Sequence, residues 1–315
     1  GIARITRQLA QAEHITGAAK TRKTKVALLY SISSDLWQPW GYIHMLERRA
    51  TYLSLIHGQY LVDMLTEQDV EAGRLSNYKV LYITDPNITE KAVALIGKWV
   101  KKGGFLYGSC GAGSRNEFNE EVDGLASTFG LQSGIKVELQ DGNYRTRGGL
   151  NPIPYLDEIN MTNEACETSE TLHFGTIGLK IKFTPKNGKV IGMLKDGSPA
   201  VVMKEAGKGK AIYFAGCPGL SYLKDAKFVA AELKERYPAV QRAAINSPTI
   251  SAGVQPLVEL SHPVVESGVY DSEKGTALVL ANFTYEPIDA LTVKLPVSKT
   301  IRRVRSLETG ETRFS

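Results

Sequence analysis

The stretch Gly103-Gly104-Phe105-Leu106-Tyr107-Gly108-Ser109-Cys110-Gly111-Ala112-Gly113-Ser114 decides how the chain folds. A glycine pair stops a helical pattern, a short apolar run follows, and the run empties into a cysteine flanked by small residues. This pattern fits a strand feeding a nucleophile elbow, a sharp bend where the crowded backbone admits only small neighbours and the nucleophile is displayed. The reading places Cys110 in a strand-to-helix turn near the carboxyl edge of a sheet.

The same rhythm continues on both sides of that strand. Residues 26–30 are apolar enough for a strand covered on both faces, as in a parallel sheet. A loop carrying Trp37, Pro39 and Trp40 precedes a helix around residues 45–57, and further strands are predicted at 60–65 and 78–84. Thr89 caps a helix through Val100, with Glu90 in its first turn, and Gly103-Gly104 ends it. Strand and helix alternating in this way predict an α/β fold with a doubly wound, flavodoxin-like sheet.

From about residue 135 to 203 the pattern shortens into extended pieces with turn signals such as Lys186-Asn187-Gly188-Lys189 and Asp196-Gly197, which predicts β-hairpins inserted into the sheet domain. The sheet resumes at 210–215, and a helix is expected over 224–237. Past Asn246 a Pro- and Ser-rich connector leads to residues 276–283 and 291–295, whose alternation predicts a small antiparallel β domain. The expected organisation is an N-terminal helix (2–16) and linker over 1–24, an α/β domain over 25–245, and a β-sandwich-like domain over 246–315. The sequence opens at Gly1 rather than Met, so residues that preceded it are expected to have been removed. It stops at Arg313-Phe314-Ser315 inside a strand-like pattern, and the last domain is therefore expected to be truncated.

Composition narrows the function classes. With 315 residues and 43% hydrophobic content the chain can bury large cores, and it has no run of eighteen apolar residues to span a membrane. The net charge of +5 is thinly spread, and the basic runs at 20–25 and 302–305 lack the interleaved aromatics of a nucleic-acid platform. Cys110, Cys166 and Cys217 form neither a disulfide framework nor a C-x-x-C pair. No histidine pair with a carboxylate has metal-ligand spacing, so no metal or cofactor is expected. Gly108 to Gly113 is not G-x-G-x-x-G, and Gly207-Lys208-Gly209-Lys210 precedes a strand, so it is a hairpin turn rather than a phosphate loop. Compartment stays open between cytoplasm and export, because lack of disulfides does not decide it.

A thiol becomes a nucleophile when a base or a positive field favours thiolate. Of the five histidines, His14 and His57 lie in helical patterns, His44 follows the Trp loop, His173 is in the inserted region and His262 is in the β tail. None ends a strand of the sheet domain, where open α/β sheets hold their ligands. The elbow resembles that of class I glutamine amidotransferases, and the resemblance implies a histidine base at the end of the late strand; Gly216-Cys217-Pro218-Gly219 stands there instead, so Cys110 is only a weak candidate nucleophile. Trp37-Gln38-Pro39-Trp40-Gly41-Tyr42, with His44, offers aromatic faces at the functional edge, suited to an interface or to stacking on sugar rings.

The match to that amidotransferase elbow is at the nucleophile alone, with Ala112 where the second glycine would be. The order of pieces is more specific. An amphipathic helix leads into Lys25-Val26-Ala27-Leu28-Leu29-Tyr30-Ser31, then a Trp loop and long helix. Leu75-Ser76-Asn77-Tyr78-Lys79-Val80-Leu81-Tyr82-Ile83, Trp99-Val100-Lys101-Lys102-Gly103-Gly104-Phe105-Leu106 and Gly207-Lys208-Gly209-Lys210-Ala211-Ile212-Tyr213 follow. Over most of residues 1–245 this resembles the trimerisation domain of family 42 beta-galactosidases and related glycoside hydrolases. The resemblance implies a glutamine-amidotransferase-like module that performs no amidotransfer, follows a catalytic (β/α)8 barrel in the same polypeptide and precedes a small β domain. It also implies a homo-oligomer, a trimer by family habit, that can help wall a carbohydrate site. The family's catalytic glutamates lie in the barrel, so no glutamate here inherits their role. Two rival readings are a Cys110-dependent amidase or hydrolase and a carbohydrate-binding module built on Trp37, Trp40 and Tyr42.

Overall fold

A computed structural model describes residues 2–145, 147–163, 170–297, 300–308 and 310–311. Cys166 and the strand expected at Arg313-Phe314-Ser315 lie outside the described residues. Nine strands form one mixed sheet, in the order Val62–Leu65, Val26–Leu29, Val80–Ile83, Phe105–Gly108, Gly209–Phe214, Pro199–Ala206, Lys189–Leu194, Asp157–Thr162, Thr171–Thr176. The first five run parallel, and the last four extend the sheet antiparallel.

The parallel strands are apolar on both faces because both faces are covered. Ala27, Leu29, Leu81, Ile83 and Leu106 enter one core, where Ala92, Ile96 and Val100 of helix Glu90–Lys101 meet them. Their neighbours Val26, Leu28, Val80, Tyr82, Phe105 and Tyr107 enter the opposite core with Leu55 of helix Ile43–His57 and Ala244 and Ile245 of helix Ala239–Ser251. Thr89 caps its helix as expected, its hydroxyl accepting from the Ala92 amide at 3.2 Å, and Lys98 and Lys101 lie in the last turn, where they favour the dipole.

Several local expectations differ from what forms. The hairpins of the inserted region are part of the main sheet, which four of their strands continue. The elbow does not open a helix: residues 110–113 turn, and the next helix is the short Ala126–Phe129. The helix expected over 224–237 is absent beyond a fragment at Leu233–Arg236, because Phe228 and Glu232 take left-handed backbone (φ 61° and 56°) that a helix cannot contain.

The connector expected after Asn246 is instead the second half of helix Ala239–Ser251, with Pro248 inside it. A proline there leaves the carbonyl four residues back without its usual donor. Ser247 supplies one, its hydroxyl donating to the Ala244 carbonyl at 2.9 Å. The N-terminal linker also has a partner: Lys20–Thr21 pairs with Val265–Ser272, which pairs in turn with Gly275–Asn282. Among the described residues no helix is long and apolar enough to cross a membrane.

Leu81 is fully buried in the third parallel strand. Leu81→Ala is expected to cost about 2–5 kcal/mol of stability, through lost burial and the cavity left behind, measured by urea unfolding with an unchanged m-value.

Candidate functional site

Helix Ile43–His57 crosses beneath the carboxyl ends of the parallel strands and turns an unusual face to them. His44, Glu47, Arg48, Thr51 and Ser54 are all buried along it, a polar stripe at helical spacing where an apolar one would be ordinary. His44, Glu47 and Arg48 reach the strand ends and Thr51 the Gly219 backbone, while Ser54 faces Asn246 of helix Ala239–Ser251.

Glu47 has no exposure to water. Its carboxylate accepts from the Ser109 hydroxyl at 2.9 Å, the Gly219 amide at 3.0 Å and the Leu220 amide at 2.7 Å. The two amides open helix Pro218–Leu223, where unpaired N–H groups and the helix dipole favour a negative charge. Gly219 is required there, because a Cβ would stand 2.8 Å from the Glu47 carbonyl. Burial pushes the Glu47 carboxyl up to about 7 against the pull of these hydrogen bonds.

Beside it the elbow keeps its backbone bend. Cys110 takes a left-handed φ of 54°, and its amide donates to the Gly216 carbonyl at 3.3 Å, fixing the bend to the end of strand Gly209–Phe214. The side chain is sealed in, and its thiol is hydrogen-bonded to Cys217, itself fully buried. Burial raises the Cys110 thiol, and burial together with Cys110 raises that of Cys217 well above the ordinary range. The ionisable groups acting on Cys110 are Cys217, Glu47 and Asp85, none of which offers the positive field that a thiolate needs.

The neighbouring strand ends hold a second buried group. Arg48 donates to Asp85 Oδ1 at 2.7 Å and to both oxygens of Asp35 at 2.8 and 3.1 Å, with its guanidinium 4.3 Å from the Tyr30 ring centre. Asp85 is fully buried, and burial lifts its carboxyl to about 7 despite Arg48. Burial works against the Asp35 carboxylate too, but hydrogen bonds from Tyr30 and Arg48 outweigh it and hold its pKa below the usual range. His44 Nε2 lies 3.5 Å from Asp35 Oδ1, and burial, then Arg48, depresses the imidazole to about 4.

The aromatic loop sits over this edge, and its members do different things. Trp37 is half exposed, and its Nε1 donates to the Glu117 carbonyl at 2.8 Å. Trp40 folds over the elbow, its Nε1 3.2 Å from where a Gly111 Cβ would stand, with Arg115 stacked 5.2 Å from its ring. Tyr42 carries Arg145 at 3.6 Å.

The other histidines stay away from the elbow. His57 is buried against the Tyr222 hydroxyl at 2.7 Å, His173 faces Glu158 at 3.7 Å on the surface, His262 meets Ser261, and His14 meets the Gln11 carbonyl of its own helix. Sequence reasoning found Cys110, Cys217, Trp40 and His44 but missed Glu47, Arg48, Asp35 and Asp85. The available signal was the polar period at residues 44, 47, 48, 51 and 54, which reads as a solvated helix face until tertiary structure covers it.

Neither a family model nor a curated protein matches the chain. Solved structures do. Gan42B, a GH42 beta-galactosidase from G. stearothermophilus, is 18% identical with a TM-score of 0.64, covering 92% of this chain and 38% of its own. A beta-galactosidase from Bacillus circulans sp. alkalophilus is 17% identical with a TM-score of 0.58, covering 91% of this chain and 42% of its own. Alpha-L-fucosidase isoenzyme 2 from Paenibacillus thiaminolyticus is 16% identical with a TM-score of 0.52, covering 86% and 39%. The chain thus has the fold of a part of GH42 beta-galactosidases and spans about two-fifths of their length. At these identities the likeness is one of fold.

Two outcomes follow from the buried groups. In the window between the ordinary carboxyl value of 4.5 and about 7, an unfolded chain has released the Glu47 proton while the folded chain keeps it. Stability therefore falls as pH rises through that window, by about 3 kcal/mol for this group. Glu47→Gln is expected to flatten that part of the stability-pH curve, measured by urea unfolding from pH 4.5 to 8. Cys110 is expected to be silent to a thiol-selective disulfide reagent in the native chain. Wild type and Cys110→Ala should then give the same native thiol count and differ by one only after unfolding.

Proposed function

We propose that the chain is the non-catalytic, oligomer-forming portion of a glycoside-hydrolase-type protein of beta-galactosidase kind. A catalytic barrel would occupy the same polypeptide, and this module would help to complete its carbohydrate site. The fold likeness to a part of several glycosidases supports the class. The parallel strands follow the order second, first, third, fourth, fifth, which is the flavodoxin-type order also expected of a glutamine-amidotransferase-like module.

One observation carries the non-catalytic reading. The elbow where an amidotransferase would display its nucleophile is filled from within by Cys217, with Glu47 clamped beside it, and no histidine reaches it. The chemistry is closed while the rim is open: Leu36 (78% exposed), Trp37 (51%) and Phe118 (70%) present apolar surface next to it, with Ile32 one turn before Leu36. The Trp37–Glu117 hydrogen bond holds the two segments together, giving a continuous patch of the kind found at interfaces.

Sedimentation equilibrium of the chain tests this. Self-association to a trimer is expected, and Leu36→Asp with Phe118→Asp should weaken it at least about tenfold, the scale of one lost apolar contact or two, with an unchanged circular dichroism spectrum. A chain that stays monomeric at 100-micromolar order would remove the assembly role.

A further inference from the structure

The polar group at the ends of strands Val26–Leu29 and Val80–Ile83 has an acceptor set that the chain itself does not use up. One atom each from Asp35, His44 and Asp85 lie within 4.8 Å of one another. His44 and Asp85 are fully buried. Among the described residues the His44 ring nitrogens and Asp85 Oδ2 make no close hydrogen bond; Asp35 Oδ1 stands 3.5 Å from His44 Nε2, and the Ser31 amide faces the Asp85 carboxyl. Buried polar atoms are paired in the great majority of cases, so two orphans facing the same space call for an explanation.

Arg48 does not supply it. The guanidinium takes Asp85 Oδ1 and both oxygens of Asp35, and makes no hydrogen bond to Asp85 Oδ2 or to the His44 ring. A metal-ligating carboxylate is commonly held by a fixed donor on its other oxygen, and a ligating imidazole commonly has a backbone carbonyl near its other nitrogen. The Gly41 carbonyl lies beside the His44 ring in that role. Asp35, at the partly exposed end of the cluster with a side chain 21% accessible, gives a path inward.

We propose that Asp35, His44 and Asp85 form a site for a divalent transition cation, with Zn2+ the best fit, and that Arg48 orients its carboxylates. One imidazole and two carboxylates favour Zn2+ over Mg2+ or Ca2+, which prefer oxygen-only shells with more ligands. Ligands about 2.0–2.2 Å from a tetrahedral zinc stand about 3.4 Å apart, a spacing that these three side chains can reach from within 4.8 Å of one another. Asp85 binds through Oδ2 and keeps its contact with Arg48. The ion ties the first and third strands to helix Ile43–His57, just below the aromatic rim.

Equilibrium dialysis of the chelator-treated full chain against Zn2+, with bound metal counted by mass spectrometry, tests the site. One equivalent is expected, with Mg2+ failing to compete. His44→Gln and Asp85→Asn should each weaken binding at least about tenfold, the lower end for altering a metal site. The chain with His14, His173 and His262 all changed to alanine should bind as wild type does. Retention of no Zn2+, equal binding by His44→Gln, or loss on removing the three other histidines would each overturn the proposal. Should both site variants unfold, Co2+ added to wild type decides: a visible ligand-field band of four-coordinate type is expected, and its absence refutes the site.

Discussion

The Glu47 carboxylate is the contact on which the edge of this sheet depends. It is fully buried and gathers the Ser109 hydroxyl and two amides of helix Pro218–Leu223, so one side chain joins the long helix, the elbow and the segment after the late strand. A buried carboxyl is costly unless its oxygens are hydrogen-bonded, and the unpaired amides of a helix start supply the donors. Gly219 follows from this constraint, since any side chain there would meet Glu47. So does the closeness of Cys110 and Cys217, whose segments are drawn together across the Cys110–Gly216 backbone bond.

The bend at Cys110 depends on backbone contacts rather than on the thiol. The backbone bend at Cys110 is stabilised by strand pairing and by the Gly216 carbonyl, neither of which needs a base or a substrate. Reactivity needs access and a positive field, and the same packing that preserves the bend removes both. Cys217 suits this dense packing, because a buried thiol packs as a small apolar group.

The parallel half of the sheet was legible because its signal is local. Residues 26–29 and 80–83 are apolar throughout, and such runs leave little choice but a strand covered on two faces. Thr89 and the Gly103-Gly104 pair bounded their helix by capping chemistry that acts within one turn. Misreadings arose where a local rule was overridden by a neighbour. Pro248 was read as a break, and the Ser247 hydroxyl made it tolerable inside a helix. Residues 224–237 had helical composition, and left-handed backbone at Phe228 and Glu232 interrupted them. Glu47 and Arg48 carry no local sign of burial, because charged residues on a helix are almost always solvated.

By itself the sequence determined the α/β class, the parallel strands with their covering helix, the hairpin turn at Gly207-Lys208 and the bend at Cys110. Each rests on periodicity, capping or glycine placement over a few residues. Only the tertiary structure decided that the hairpin strands extend the main sheet, that Lys20–Thr21 pairs with Val265–Ser272, and that Asp35, His44, Arg48 and Asp85 converge. The reason is range. Local preferences act through backbone sterics and near-neighbour hydrogen bonds, whereas pairing and charge burial are set by which distant segments remove one another from water.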